Sequence, residues 1–269
     1  MESEIQKHRV QIDQIDHQIR ELLNKRATHA QSIGHLKGEK AIYRPEREAQ
    51  VLRRAVADNA GPLPNSAIFR LQREVMSACL ALEKPLRVGC VADCDLYGEV
   101  AARLQFGQSA QLQLFQEEVL LIEQVRLGQV DYGIIPLGKE NGSSLLNLAK
   151  KGLSLCGEVF VSEIQNQDEI LPFITFGKEA IPASGIDKTL VLLEGEMSAL
   201  QDLIKERGVE LIIQTESVFG KDAAAQMLLL AVAGHKDSEP LKTFLKMLEE
   251  GSFPIRFISS YPDLSDCYK

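Results

Sequence analysis

The first 84 residues carry apolar side chains at helical spacing and no alternating pattern typical of a strand. Positions three and four apart fall on one face of a helix, so the pattern predicts one amphipathic helix of about 35 residues. This helix should end before Arg44, because a residue that precedes proline avoids helical geometry. The apolar positions that define it are Ile5, Ile12, Ile15, Ile19, Leu22, Leu23, Ala30 and Ile33.

Two shorter helices follow in the same segment. Pro45 suits the first turn of a helix that runs to about Asp58. Residues 59–64 form a turn, after which Asn65 or Ser66 can cap a third helix that ends near Glu83. A long helix cannot bury its whole apolar stripe against two short ones, so the pattern favours dimerisation.

The pattern changes after Pro85 to strands that alternate with helices, which predicts an α/β unit with a mostly parallel sheet. The predicted strands are 87–91, 111–115, 132–136 and 153–161, and the predicted helices lie near 98–106, 117–127 and 143–151. A third unit begins after the loop 181–187, in the strand and helix order βαββαβ of a ferredoxin-like domain. Its predicted strands are 188–194, 209–218, 226–233 and 254–260, and its predicted helices are 197–207 and 238–250.

The composition is typical of a soluble globular protein, with 45% hydrophobic and 25% charged residues. No apolar run approaches the roughly 20 residues that cross a bilayer, and the charged start does not resemble a secretory signal. The five cysteines are scattered without a Cys-x-x-Cys pair, which argues against disulfides and against a structural zinc site. We therefore expect a cytoplasmic protein that does not bind a membrane.

The net charge of −8 is unevenly distributed. Residues 1–84 contain 14 Lys or Arg and 11 Asp or Glu, whereas the remainder contains 16 and 27. An acidic protein with one basic segment is poorly suited to nucleic acid, which requires an extended positive face. The basic segment suits a small anion, although a solvated helix surface is an equally good interpretation of charge alone.

Two cations of the first helix lie on a common face. Arg26 and Lys37 are eleven residues apart, which leaves them about 20° apart around the axis and about 16 Å apart along it. The gap between two such side chains fits one small dianion. Arg9 lies about 100° from Arg26 around the same helix, so it joins this cluster more easily from a partner subunit. Such spacing is also common on solvated helix faces.

A longer pattern carries a family resemblance. Arg9, Asp16, Arg26, Gly34 and Lys37 are followed by Tyr-Arg-Pro-Glu-Arg-Glu-Ala at 43–49 and Met-Ser-Ala-Cys-Leu-Ala-Leu-Glu at 76–83. This arrangement resembles the all-helical chorismate mutase domain, and most of all the version that opens the bifunctional chorismate mutase–prephenate dehydratases. The resemblance covers residues 1–84 without a large gap.

The resemblance implies a role for each matching position. Arg26 and Arg47 would hold the substrate carboxylates together with Arg9 of the partner subunit, and Glu48 would hydrogen-bond the ring hydroxyl. Lys37 and Glu83 would donate hydrogen bonds to the ether oxygen of the breaking bond. The implied catalytic set is Lys37, Glu83, Arg26 and Glu48, and the implied substrate-binding set is Arg9, Arg26, Lys37, Arg47, Glu48, Cys79 and Glu83. Some family members have Ser at the position of Cys79 and Gln at that of Glu83.

The chemistry of that reaction agrees with these residue types. The rearrangement of chorismate to prephenate is intramolecular, so it needs no cofactor, metal or nucleophile, only a site that holds the reactive conformer. Donors must lie where negative charge grows on the ether oxygen. Glu83 donates only when it is protonated, so we expect activity to fall as the pH rises.

The middle segment resembles the first lobe of prephenate dehydratase. The matching stretches are Arg87-Val88, 130–136 and 156–159. The functional loops differ: a glycine-rich loop is replaced by 91–97 with two aspartates, Glu140 and Asn141 are displaced by two positions, and the family's Thr-Arg-Phe is Ile-Thr-Phe at 174–176. Only 13 residues separate Val161 from Thr175, where the family has a second lobe. We therefore expect residues 85–180 to be a truncated, inactive dehydratase-like lobe that serves as a spacer or dimer scaffold.

Residues 187–262 resemble an ACT domain, which implies a regulatory unit over 186–264 with phenylalanine as the candidate effector. The similar stretches are 230–235 and 258–262. The effector motifs are only partly kept: Ser198 replaces a glycine, and Val218-Phe219 replaces Arg-Pro. Phe219 can occupy the pocket itself, so a dimerisation role is favoured over feedback by phenylalanine. His235, a lone histidine, is more typical of a structural role.

The resulting hypothesis is a multi-domain α and α/β protein that works as a homodimeric chorismate mutase. Its N-terminal three-helix domain would form an intertwined dimer, followed by half a dehydratase fold and a ferredoxin-like ACT domain. One alternative is an active bifunctional enzyme that makes phenylpyruvate. Another is a non-catalytic ACT-type regulator whose helices serve assembly.

Overall fold

Three helices form the first part of the computed structural model. The structure describes residues 2–37, 43–92, 96–137, 142–162, 170–194, 211–218, 226–239, 241–250 and 253–267. The helices are α1 (Glu2–Lys37), α2 (Pro45–Ala57) and α3 (Asn65–Glu83). Their number, order and bounds confirm the prediction from hydrophobic spacing and from the two prolines.

The start of α3 differs from the prediction. Pro64 occupies the N-cap position and makes no side-chain cap, so the expectation that Asn65 or Ser66 caps the helix is wrong. Asn65 Oδ1 instead accepts a hydrogen bond from Asn59 Nδ2 at 2.9 Å, and the same amide donates to Leu63 O at 2.9 Å. Asparagine side chains often close turns in this way, and here that competes with capping.

Only the last third of α1 is covered by its own chain. Arg26, Ala27, Ala30 and Gly34 are partly buried where α1 packs on α3. The large apolar side chains ahead of Arg26 are between 39% and 64% exposed, and Ile33 and Leu36 near the helix end are exposed as well. Those ahead of Arg26 are Ile5, Val10, Ile12, Ile15, Ile19, Leu22 and Leu23.

The middle part is a five-stranded sheet with helices packed on it. Its strands are β1 (Arg87–Val91), β2 (Gln111–Phe115), β3 (Tyr132–Pro136), β4 (Ser154–Ser162) and β5 (Ile170–Gly177), and its helices are α4 (Tyr97–Phe106), α5 (Glu118–Leu127) and α6 (Gly142–Lys150). The strand order is β2-β1-β3-β5-β4. The pairs β2–β1 and β1–β3 are parallel, whereas β5 runs antiparallel to both β3 and β4.

The prediction of a mostly parallel sheet is therefore only half right, and β5 was not predicted as a strand. β5 lies between β3 and β4, and its residues 173–177 are all buried. A strand covered on both faces is apolar without alternation, so its sequence lacks the period-two pattern by which strands are recognised.

The third part is a four-stranded antiparallel sheet. It consists of β6 (Asp187–Glu194), β7 (Leu211–Val218), β8 (Gln226–Ala233), α7 (Leu241–Glu250) and β9 (Ile255–Pro262), followed by a 3-10 turn at Ser265–Cys267. The strand order is β7-β8-β6-β9, with the first and third strands of the unit central. The predicted helix 197–207 lies outside the described residues. α7 begins at Leu241 rather than at 238, because a turn occupies residues 236–239.

A buried ion pair joins the second and third parts. Lys188 Nζ on β6 lies 2.6 Å from Glu158 Oε2 on β4, and the two side chains are 3% and 6% exposed. Tyr261 OH donates to the same carboxylate oxygen at 3.4 Å. Close by, Leu155 N donates to Ser259 Oγ at 2.8 Å. Polar groups thus fix the place where β4 meets the third sheet.

Arg53 of α2 joins the first part to the third. Its guanidinium donates to the hydroxyl of Ser184 and to the carbonyls of Ile186 and Asp263. Asp187 holds the same turn by accepting from Ser184 N and from Ser184 Oγ, the latter at 2.7 Å. The helical part is therefore attached at the junction from which β6 starts.

None of the described helices combines the length and the apolar character of a membrane-spanning segment.

Replacing Lys188 by Met should destabilise the protein by about 3–5 kcal/mol, because it leaves the Glu158 carboxylate buried without its partner. The double variant Lys188→Met/Glu158→Leu should regain most of that loss, since it removes both charges. Urea unfolding of the full chain measures both values. A single variant as stable as wild type would contradict a buried, coupled pair.

Candidate active site

The helices α1 and α2 each pack on α3, and two predicted site residues lie close together there. Arg26 of α1 donates through Nη1 to the Val75 carbonyl of α3 at 3.4 Å. Glu48 of α2 has a side chain that is 16% exposed and is close enough to Arg26 for an electrostatic interaction. The structure therefore brings together a cation and a carboxyl that lie 22 residues apart in the sequence.

Glu83, the last residue of α3, lies beside Gly34 of α1. Its Oε2 atom is buried and has no hydrogen-bond partner among the residues that the structure describes. A Cβ atom at Gly34 would lie 2.6 Å from this oxygen, so the missing side chain of Gly34 lets α1 approach Glu83. Cys79 is 7% exposed and lies one helical turn before Glu83. A buried carboxyl oxygen without a partner costs free energy unless it is protonated or meets a ligand.

The charge of Glu48 depends on opposing effects. Burial raises the pKa of its carboxyl to about 7, although the guanidinium groups of Arg73 and Arg26 lower it. Arg73 Nη1 lies 3.3 Å from Glu48 Oε2. Glu48 therefore titrates near neutral pH, where a small change in its surroundings changes its charge.

The remaining predicted residues are placed less completely. Lys37 is the last residue of α1, three positions after Gly34, and its side chain lies outside the described part. Arg47 is exposed on α2. Arg9 is exposed on α1, about 25 Å along the axis from Arg26, so it does not reach Arg26 and Glu48 within its own chain.

Sequence reasoning missed Arg73, which is 4% exposed on α3 and contacts Glu48. Its guanidinium lies over the ring of Phe69, 5.2 Å from the centroid. A signal was present, because Arg73 falls between Phe69 and Met76 at helical spacing, on the buried face of α3. A cation within an apolar stripe indicates a buried polar partner.

The dehydratase-like motif at 174–176 is a core strand in this chain. Ile174, Thr175 and Phe176 are fully buried within β5. The Thr175 hydroxyl oxygen accepts a hydrogen bond from the thiol of Cys156 at 3.3 Å. The loop positions 93–95 and 138–141, which also differ from the dehydratase pattern, lie outside the described residues.

His235 has partners on both ring nitrogens. Its Nδ1 accepts from Asp237 N at 3.3 Å, which leaves Nε2 to donate to the Ile181 carbonyl at 3.1 Å. This arrangement agrees with the structural role expected for it. In the described ranges, no group of three or more His, Cys, Asp or Glu side chains is arranged to hold a metal ion.

Solved structures similar to this chain cover about two thirds of it. A prephenate dehydratase from Arthrobacter aurescens, solved in complex with L-phenylalanine, aligns with a TM-score of 0.53 and 15% identity, covering 66% of this chain and 90% of that one. The structure of GqqA, described as a novel type of quorum quenching acylase, aligns with a TM-score of 0.52 and 19% identity, covering 65% and 94%. These similarities support a dehydratase-like α/β fold.

Sequence comparisons identify the first part. A bifunctional chorismate mutase/prephenate dehydratase of Neisseria gonorrhoeae is 44% identical over 156 residues, which are 56% of this chain and 43% of that protein. A bifunctional enzyme of the same name from Stutzerimonas stutzeri is 37% identical over 164 residues. The chain thus spans less than half the length of these relatives. The family model of chorismate mutase type II matches residues 8–84. The predicted resemblance of the first part to this family is therefore confirmed over residues 8–84.

Proposed function

We propose that this chain converts chorismate to prephenate, as a homodimer whose sites lie among the helices α1, α2 and α3. The observation that carries the proposal is that Arg26 lies near Glu48 on the side of α3 where α1 packs, and that a buried Glu83 oxygen on the same α1–α3 contact lacks a hydrogen-bond partner among the described residues. A purely structural helix contact does not require such an oxygen. The family match over residues 8–84 supports the same reaction.

In this mechanism the protein acts by holding and by hydrogen bonding. Arg26, Arg47 and Arg9 of the partner subunit bind the two carboxylates, and Glu48 accepts the hydrogen bond of the ring hydroxyl. Holding a reactive conformer can supply about 7–11 kcal/mol of the barrier. Lys37 and protonated Glu83 donate to the ether oxygen as its negative charge grows, and such donors contribute because they are already oriented. The charge of the bound dianion is balanced by the cations of α1 and α2.

The dimer is supported by the uncovered part of α1. Its exposed apolar stripe is too long for the rest of its own chain to bury, and burying one such aliphatic side chain fully contributes about 1.5–3 kcal/mol. Pairing with a second copy would bury the stripe. It would also bring Arg9 of the partner subunit to a site that Arg9 does not reach in its own chain.

We further propose that the dehydratase-like lobe is catalytically inactive. Where the family has Thr-Arg-Phe, this chain has Ile174, Thr175 and Phe176 buried within β5, and the Thr175 hydroxyl accepts a hydrogen bond from Cys156. A substrate does not reach a hydroxyl inside the sheet. The bifunctional relatives favour the rival interpretation, an active dehydratase.

We propose that the third part is an ACT-like domain that mainly serves assembly. Its β6–β9 sheet has the strand order expected for that fold. The phenylalanine bound in the Arthrobacter aurescens structure makes this amino acid the effector to test. The motif positions 198–200 and Phe219 lie outside the described residues. The argument against feedback by phenylalanine is therefore the sequence difference at these positions.

Purified full-length protein should convert chorismate to prephenate and produce no phenylpyruvate above that from acid-catalysed breakdown. Arg26→Ala should lower kcat/KM by about 100-fold, because it removes an oriented cationic donor. Arg20→Ala, on the exposed surface of the same helix, is the matched control and should keep wild-type activity. Enzymatic phenylpyruvate would restore the bifunctional interpretation. No loss of chorismate would favour the regulator, which calorimetry with phenylalanine would then test.

The Glu83→Gln variant should lose the decline of activity at alkaline pH. On the alkaline side of its profile, wild-type activity should fall as the pH rises, because Glu83 donates only when protonated, whereas an amide donates at every pH. The measurement is kcat/KM between pH 5 and 9 for both proteins. A wild-type profile that does not fall on the alkaline side would rule out Glu83 as the donor.

Arg9→Ala and Arg26→Ala should each be inactive alone and active when mixed. In a mixed dimer one site contains both changes and the other contains neither, because Arg9 and the remaining groups come from different subunits. Random exchange should restore about a quarter of wild-type activity. Refolding the two variants together and assaying mutase activity tests this. A mixture no more active than its components would place both arginines in one subunit.

A further inference from the structure

The start of α2 is anchored in the core of the dehydratase-like lobe. Tyr43, two residues before the helix, is 3% exposed. Its ring packs on Phe106 of α4 at 5.3 Å and on Tyr132 of β3 at 5.0 Å between centroids. Gln105 Nε2 donates to Tyr43 OH at 3.2 Å. The segment that carries Glu48 is therefore attached to a domain that supplies none of the predicted mutase residues.

A second connection runs from the same lobe to Glu48 itself. Arg73 Nη1 donates to the backbone carbonyl of Gln105 at 2.7 Å, and the same nitrogen lies 3.3 Å from Glu48 Oε2. Gln105 lies in the last turn of α4, where carbonyls lack partners within the helix and the helix dipole is negative. That helix end binds and orients a guanidinium. Arg73 is thereby fixed between the lobe and the Glu48 carboxyl.

We propose that Arg73 is a positioning residue for the mutase reaction: held by the end of α4, it fixes the Glu48 carboxyl in the orientation that accepts the substrate hydroxyl. The dehydratase-like lobe thus forms part of the support of the mutase site. This inference rests on the proposed function of the helical domain. It assigns a role to the lobe that does not require dehydratase activity.

The electrostatics of Glu48 give the proposal a specific readout. The groups that face this carboxyl are Arg26 from α1, Arg73 from α3 and Tyr43 ahead of α2, and the proposed dimer adds Arg9 of the partner subunit. Burial raises the pKa of Glu48 to about 7, and Arg73 is the largest opposing influence. Removing the Arg73 charge therefore raises the pKa of Glu48 further. The ionised carboxylate is the stronger acceptor, so wild-type activity should rise with pH as Glu48 ionises. Without the Arg73 charge, the same rise should occur at a higher pH.

The test compares kcat and KM of full-length Arg73→Gln and wild type for chorismate between pH 5 and 9. We expect the acidic limb of the kcat/KM profile of Arg73→Gln to lie about one unit higher in pH than that of wild type. At a fixed pH below the midpoint, this shift lowers kcat/KM about tenfold. Arg73→Lys keeps the charge but loses the rigid, planar guanidinium, so its limb should lie between those of wild type and Arg73→Gln. Arg70→Gln, an exposed residue one turn earlier on α3, is the matched control and should leave the limb unchanged.

A second comparison separates this inference from the proposed function. In a Glu48→Gln background the acidic limb should be absent, and adding Arg73→Gln should produce no further pH effect. Wild-type protein without mutase activity would overturn the proposed function. An active wild type together with a folded Arg73→Gln whose limb is unmoved would overturn only the role of Arg73. If Arg73→Gln does not fold, the pH profile of Arg73→Lys is the test. An acidic limb of kcat/KM that coincides with that of wild type would then overturn the inference.

Discussion

The arrangement of the first domain depends on the contact between the last third of α1 and α3. Gly34 lets the two helices approach until Glu83 meets the α1 backbone. That contact also places Arg26 against the α3 carbonyl of Val75. Because this short contact is the part of α1 covered by its own chain, most of the apolar stripe remains exposed. One close approach thus determines both where the proposed site lies and how much of α1 is left for a second copy to cover in the proposed dimer.

The second and third parts hold the helical domain through polar groups that are mostly buried. Arg53 attaches α2 to the junction before β6, and Tyr43 attaches the start of the same helix to the core of the lobe. A short helix held at both its start and its middle cannot rotate without breaking these contacts. Since α2 carries Arg47 and Glu48, its orientation decides whether they face the substrate. Domains that contribute no catalytic residue can therefore still limit the geometry of the site.

Much of the fold could be predicted from the sequence, and the exceptions have physical causes. The bounds of α1 and α2 follow from helical spacing and from Pro45, which are local signals. β5 lacked such a signal because it is buried on both faces. Pro64 at the start of α3 was missed because two good capping residues follow it, yet Asn65 is used in the turn instead.

The candidate site was predictable where the family pattern names a residue and unpredictable where a contact crosses domains. Arg26, Glu48 and Glu83 were expected from spacing or resemblance. The partner of Arg73 is a backbone carbonyl 32 residues further along the chain, in a domain with a different fold. Backbone atoms are present at every position, so no residue type in the sequence indicates that one of them is an acceptor. Such contacts become visible only when the packing of the two domains is known.

The proposed mechanism needs one carboxyl that accepts and one that donates, and the structure surrounds the two differently. Glu48 lies near two guanidinium groups, Arg26 and Arg73, which favour its ionised form against the effect of burial. Glu83 has its Oε2 oxygen buried against the helix backbone at Gly34 without a hydrogen-bond partner among the described residues, a position that a ligand would satisfy. Two carboxyls of one site can divide the roles of acceptor and donor when their surroundings differ in this way. In the proposed site, the ionisation of Glu48 then depends on Arg73, and hence on the lobe that holds Arg73.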